Sequence, residues 1–205
     1  MISLERFVRY RQFLFHATRE ENLDCLRSSR EFFSAGLMKI SPSALRKPRR
    51  DNEAASFSGS KILLGDHLPL RERNIDWQGD WNFQKLLGEL DRRVFFFPAK
   101  GEDIPSDCDR FITPKIGRSL RMAVLRIPTR SLIEHNADAI IEFCKFNSGA
   151  PRASGGLKSP RGPQTFTSPQ SSDFKVAQIR EVTFLDSAKL PPETMFYKNT
   201  GWTSF

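Results

Sequence analysis

Apolar positions recur along this chain with two periods, and the switches between them outline its elements. Leu4, Phe7 and Val8 share one side of a helix over residues 3–10. The run from Gln12 to His16 reads as a strand. Residues 18–27 read as a helix: Thr18 stands three residues before Glu21, the spacing of a capping box, and Leu23 and Leu26 supply the buried stripe beside Cys25. Gly36-Leu37-Met38 closes that unit. Pro42 and Pro48 allow a short helix at most within 41–50, and 51–60 reads as a polar, mobile stretch. Further on, 61–64 reads as a strand and 80–91 as a helix carrying Trp81, Phe83, Leu86, Leu87 and Leu90. Val94 to Pro98 reads as a buried central strand that Pro98 ends. A strand at 121–127, a short helix capped by Thr129 and running to His135, and strands at 141–146 and 182–185 complete the series. Phe196, Tyr197, Trp202 and Phe205 mark a tail that packs back on the body. The mixture predicts a single α+β domain over 1–205, its helices flanking a largely antiparallel or split sheet.

Residues 147–172 break the pattern. They hold four Gly, four Pro and six Ser, and their only charges are Arg152, Lys158 and Arg161. A long Gly/Pro/Ser-rich loop inside a domain is either functional or disordered. The formal net charge is +8, which favours a polyanionic partner. Arg46, Lys47, Arg49 and Arg50 add a basic cluster of their own. Cys25, Cys108 and Cys144 have no pair spacing, and His16, His67 and His135 are scattered, so no metal site is expected. No apolar run approaches about 18 residues, and the first residues lack a signal-peptide apolar region, so the expectation is a cytoplasmic protein without a membrane span. Neither a G-x-G-x-x-G nor a Walker loop is present.

The N-terminal unit, His16-x-Thr18-x-x-x-Asn22-Leu23-x-x-Leu26 followed by Gly36-Leu37, resembles the opening of the DarT-type ADP-ribosyltransferases. It also resembles a poorly characterised bacterial family with four later landmarks. This chain carries each: Leu64-Gly65-Asp66-His67-Leu68-Pro69-Leu70, Arg93-Val94-Phe95-Phe96-Phe97-Pro98, Asn147-Ser148-Gly149, and Glu181-Val182. Each motif is short; their shared order gives the resemblance its weight.

The resemblance implies an ADP-ribosyltransferase-like split sheet that moves ADP-ribose from NAD to a nucleic acid, RNA or DNA, as a bacterial or phage-defence toxin with an antitoxin as a possible partner. It implies catalytic roles for Glu181, His16 and Arg93. It implies contacts to NAD from His16, Thr18, Asn22, Phe96, Asn147 and Ser148. Arg49, Arg50, Arg152, Lys158 and Arg161 are the candidates for holding nucleic acid, with Phe166 able to stack on a base. No single residue aligns with the further catalytic Arg of DarT-type enzymes: Arg46, Arg49, Arg50, Arg71, Arg73 and Arg93 all compete. The chemistry suits a Glu, because cleaving the nicotinamide–ribose bond builds positive charge at the ribose, which a fixed carboxylate stabilises. The alternatives are transfer to protein, hydrolysis of NAD, and a non-catalytic nucleic-acid-binding module.

Overall fold

The first helix, α1 (Leu4–Tyr10), begins where Ser3 accepts the Arg6 N–H on its side-chain oxygen. The structure, a computed structural model, describes residues 1–38, 48–50, 53–57, 60–198 and 201–205. Most of the stretch expected as a short helix at 41–50, Arg46 and Lys47 included, lies outside the described residues. Strand β1 (Phe13–Arg19) is longer than the sequence suggests. It pairs along its whole length with β7 (Met122–Pro128), from Phe13↔Pro128 to Arg19↔Met122. That ladder outweighs a single cap, so Thr18 stays in the strand, and a 3-10 turn (Glu20–Asn22) leads into helix α2 (Leu23–Ser29).

After α2 come β2 (Glu31–Phe33) and the antiparallel pair of β3 (Glu53–Phe57), which falls where a polar, mobile stretch was expected, with β4 (Ser60–Leu64), the strand expected at 61–64. Next are β5 (Ile75–Trp77), α3 (Phe83–Asp91) and β6 (Arg93–Ala99). Asn82 caps α3 by accepting the Lys85 N–H at 2.9 Å. Helix α4 (Ser106–Ile116) has only a sparse apolar stripe and carries Pro114 inside it, which hides it from a reading of periodicity. Then follow α5 (Thr129–His135) and β8 (Ile141–Cys144). Thr129 is the first residue of α5 rather than its cap, and its buried hydroxyl has no partner among the described residues.

The segment 147–172 is not a structureless loop. It contains β9 (Ala153–Ser154) and β10 (Leu157–Arg161), joined by Gly155 and Gly156 at φ +57 and +80. β10 runs parallel to β5, and a Cβ on Gly162 would sit 2.5 Å from the Gln78 side chain, so this glycine serves close packing. The chain ends with β11 (Glu181–Leu185), β12 (Ser187–Lys189), β13 (Met195–Lys198) and β14 (Gly201–Ser204). The aromatic tail packs back as expected: β13 pairs with β7, and Trp202 meets Phe15 at 5.7 Å.

The main sheet has the order β14-β13-β7-β1-β6-β11-β8, and every pairing in it is antiparallel. Strand β6 changes partner halfway. Phe97, Pro98 and Ala99 pair with β1, whereas Arg93 to Phe96 pair with β11. Pro98 therefore does not end the strand; it lies past the last residue of the β11 ladder, where one side of β6 needs no donor. Beyond Phe15↔Phe97 the ladder between β1 and β6 stops, and the sheet divides into a four-stranded and a three-stranded half.

Helices cover both faces. Phe7 of α1, Leu26 of α2 and Leu132 of α5 pack with Leu14, Phe96, Val182 and Phe184 on one face. On the other, α3 covers the β8 side with Leu86, Leu87 and Leu90, and α4 covers β1 and β7 with Cys108 and Ile112. These last two clusters are separate, and the division of the sheet runs between them. Among the described residues, no helix is long and apolar enough to cross a membrane.

A candidate active site at the division of the sheet

A cleft of about 280 Å³ opens at this division, and His16, Thr18, Asn147, Ser148 and Glu181 all line it. His16 sits one residue past the point where β1 and β6 part. Its Nδ1 is 2.8 Å from the Phe95 carbonyl oxygen, the backbone group that the interrupted ladder leaves free. A carbonyl only accepts, so Nδ1 carries the proton and Nε2 is an acceptor. The ring stacks on Phe32 at 4.0 Å and meets Phe96 at 5.5 Å. Burial lowers its pKa to about 4 against the opposing pull of the Phe95 bond, so the imidazole is neutral at neutral pH.

Glu181 is the first residue of β11 and is 3% exposed. Its Oε2 accepts from the Ser148 N–H at 2.9 Å and from the Ser148 hydroxyl at 2.6 Å. Its other oxygen has no hydrogen-bond partner among the described residues. Burial pushes the carboxyl up to about 7; the Ser148 bonds and the nearby Arg161 charge act in the opposite direction without cancelling it. Arg161 does not touch the carboxylate. Its guanidinium donates to the backbone carbonyls of Ser148 (3.0 Å), Asn147 (2.7 Å) and Pro160 (2.8 Å), which holds the Asn147–Ser148 turn against Glu181. A neutral histidine with a free acceptor nitrogen and a carboxyl poised near neutrality thus line one cleft. Strongly shifted groups in a cavity are what catalytic acid–base sites need.

A family of unknown function (DUF7002) matches residues 12–192 of the 205. The chain belongs to this family. No curated protein and no solved structure matches it.

In this DUF7002 protein several expected site residues have other work. Asn22 lines the cleft, but its amide is fully engaged: it donates to the Leu63 carbonyl (2.9 Å) and to Thr18 Oγ1 (3.2 Å) and accepts the Leu63 N–H (2.8 Å), clamping β4 to the end of β1. Phe96 is wholly buried, packed against Phe32, Phe184 and the His16 ring, and does not itself line the cleft. Its neighbours Phe95 and Phe97 line the cleft instead, because alternate strand residues face opposite ways. Arg93 reaches the wall, but its guanidinium is held by Glu142 (2.7 and 3.1 Å) and Glu89, and stacks on Phe166 at 4.0 Å. It is a structural ion-pair residue, with its pKa raised by those carboxylates against the opposing effect of burial.

The basic candidates divide the same way. Arg49 is bidentate with buried Asp91 (2.7 and 3.0 Å), and His67 donates to the same carboxylate at 3.2 Å. Arg161 is 1% exposed, and Phe166 lies in the α3 cluster, so neither meets solvent as a nucleic-acid contact. Arg50, Arg152 and Lys158 are exposed as expected. Arg50 lies with Arg71 and Arg73 around one shallow depression.

Two cleft residues escape a reading of the sequence. Arg19 falls inside what looked like a helix after Thr18; the alternation Phe13, Phe15, Ala17, Arg19 was the signal that it continues the strand. Ser34 follows β2, and no motif marks it.

Proposed function

We propose that this protein transfers ADP-ribose from NAD to a nucleic acid. The observation that carries the reading is that His16 and Glu181, far apart in sequence, line one cleft where the sheet divides. Neutral His16 offers Nε2 to a ribose hydroxyl. The free oxygen of Glu181 suits the ribose 2′-OH, where a carboxylate stabilises the positive charge that develops at C1′ as nicotinamide leaves with the bonding pair. The acceptor then forms the new bond to C1′ and gives its proton to Glu181, whose pKa near 7 matches that exchange. Phe95 and Phe97 provide apolar walls for the nicotinamide ring, and Ser148 fixes the carboxylate. A nucleic-acid acceptor is supported by the net charge of +8 and by exposed Arg50, Arg152 and Lys158.

Hydrolysis of NAD, with water as acceptor, is the second reading. The packing of Arg161 and Phe166 favours it, since it removes two contacts expected to hold nucleic acid. The test is incubation with labelled NAD in the presence of RNA, of DNA and of neither. Label on nucleic acid supports transfer, nicotinamide release without label supports hydrolysis, and untouched NAD overturns both. Glu181→Gln is expected to lower nicotinamide release by about 10²–10³-fold, the usual effect of removing a preorganised stabilising group. Release near the wild-type rate would remove Glu181 from the chemistry.

A further inference from the structure

Among the described residues, five buried side-chain polar atoms lack a hydrogen-bond partner: Arg11 Nε, Arg19 Nε, Arg19 Nη1, Ser34 Oγ and Thr129 Oγ1. Three of them belong to two residues that line the cleft, Arg19 and Ser34. Arg19 is 8% exposed, and only its Nη2 is engaged, with Glu21 Oε1 at 3.0 Å. Arg126, also buried, engages Glu102 through Nη1 alone, but it has no nitrogen both buried and unpartnered, and three further arginines with buried side chains sharpen the contrast. The guanidiniums of Arg49, Arg93 and Arg161 each donate to carboxylates or backbone carbonyls through at least two nitrogens. Buried donors in folded proteins are satisfied in the great majority of cases, so unpaired donors gathered in one cavity mark where a ligand supplies the acceptors.

We infer that Arg19, with Ser34 beside the same cleft, is the anchor for a diphosphate group of the ligand. Guanidinium donors select oxyanions. The Nε hydrogen and the Nη1 hydrogens lie on different edges of the guanidinium plane. One planar carboxylate occupies a single edge, whereas the linked phosphates of a diphosphate present enough oxygens to reach both. The acidic groups of the cleft do not already take this role. Asp66 is bound to Lys115 and Arg118, Asp91 to Arg49 and His67, Glu31 to the Ser187 hydroxyl, and Glu181 to Ser148. Read as the pyrophosphate of NAD, this anchor rests on the transferase reading; as a diphosphate site it stands on the unpaired donors alone.

Calorimetric titration of ADP, inorganic pyrophosphate and adenosine into wild type, Arg19→Gln and a control at exposed Arg9 on α1, Arg9→Gln, tests it. ADP is expected to bind Arg19→Gln at least about tenfold more weakly than wild type, the loss that follows from removing charged hydrogen bonds. Adenosine should bind both alike, and Arg9→Gln should match wild type. Equal ADP affinity in wild type and Arg19→Gln overturns the anchor. Without ligand, Arg19→Gln should melt at or above the wild-type temperature, because the exchange removes unpaired buried donors. Should it melt well below, Ser34→Ala becomes the deciding variant, and unchanged ADP affinity there overturns the proposal. The two readings separate cleanly. ADP binding that depends on Arg19, with NAD left uncleaved, keeps the diphosphate site and ends the transferase reading. NAD cleavage with the same KM in wild type and Arg19→Gln does the reverse.

Discussion

Asp91 and Glu181 stand on the same cleft with nearly the same burial, 5% and 3% exposed, yet their carboxyls are pushed in opposite directions. At Asp91 burial pulls upward, but the His67 and Arg49 bonds outweigh it and hold the group below the usual carboxylate range. At Glu181 burial wins and the carboxyl rises to about 7, because its only direct partner is the uncharged Ser148. The positive charge near Glu181 is Arg161, and its donors are committed to backbone carbonyls. Burial sets how strongly a carboxylate is perturbed; contact with an opposite charge decides the sign. The paired carboxylate ties the end of α3 to Arg49 and the Gly65–His67 segment, whereas the one without a charged partner keeps chemical capacity. Arg19 repeats the lesson among the cations: its side chain is as buried as that of Arg49, but two of its nitrogens are left for something else.

The largest effect that would break this comparison is at Asp91. Asp91→Ala removes one member of a buried ion pair and should cost about 3–5 kcal/mol of stability, measured by urea unfolding. A loss under about 1 kcal/mol would show that the pair does not hold the fold.

Next comes the pH dependence of Glu181. Its folded pKa of about 7 lies above the ordinary 4.5, so the folded protein holds an extra proton between those values. The stability this contributes is complete below 4.5 and is lost as pH rises through 7. Glu181→Gln stays neutral and can still accept from Ser148. It should therefore match wild type near pH 4.5 and exceed it by on the order of 2 kcal/mol at pH 8. Thermal melts across this range check it, and a gap that closes toward pH 8 has the wrong sign. The same comparison made with Asp91→Asn should show no gain at high pH, since Asp91 is stabilised as the anion.

The smallest effect is at the surface. Arg152→Gln combined with Lys158→Gln should leave unfolding within about 0.5 kcal/mol of wild type, as exposed changes do. The pair should weaken binding of single-stranded RNA or DNA and reduce its salt dependence by close to two contacts, measured by fluorescence anisotropy at several salt concentrations. Unaltered binding would leave the patch of Arg50, Arg71 and Arg73 as the surface to examine.

Much of this was legible along the chain. The α+β class, the core helix α3 and the central strand β6 follow from apolar runs, and the family resemblance carried by ordered short motifs pointed to His16 and Glu181, which line one cleft. Three features were not, each for a physical reason. Phe95, Phe96 and Phe97 are chemically identical, so nothing in the run shows which of them faces the cleft. The capping-box spacing at Thr18 is genuine but local, and a seven-residue ladder with β7 overrides it, carrying Arg19 into the site. Glycine, proline and serine in 147–172 look like mobility until β5 supplies a partner strand and Arg161 finds three carbonyls to bind.

Sequence alone therefore determined which chemical groups this protein has to work with, because the order of apolar and polar residues dictates which segments become helix or strand and which groups sit at their ends. Tertiary structure alone decided what those groups can do. Whether a buried Asp, Glu or Arg is locked or left free depends on what the fold places against it, and the cleft gathers residues up to 165 positions apart, as His16 and Glu181 are.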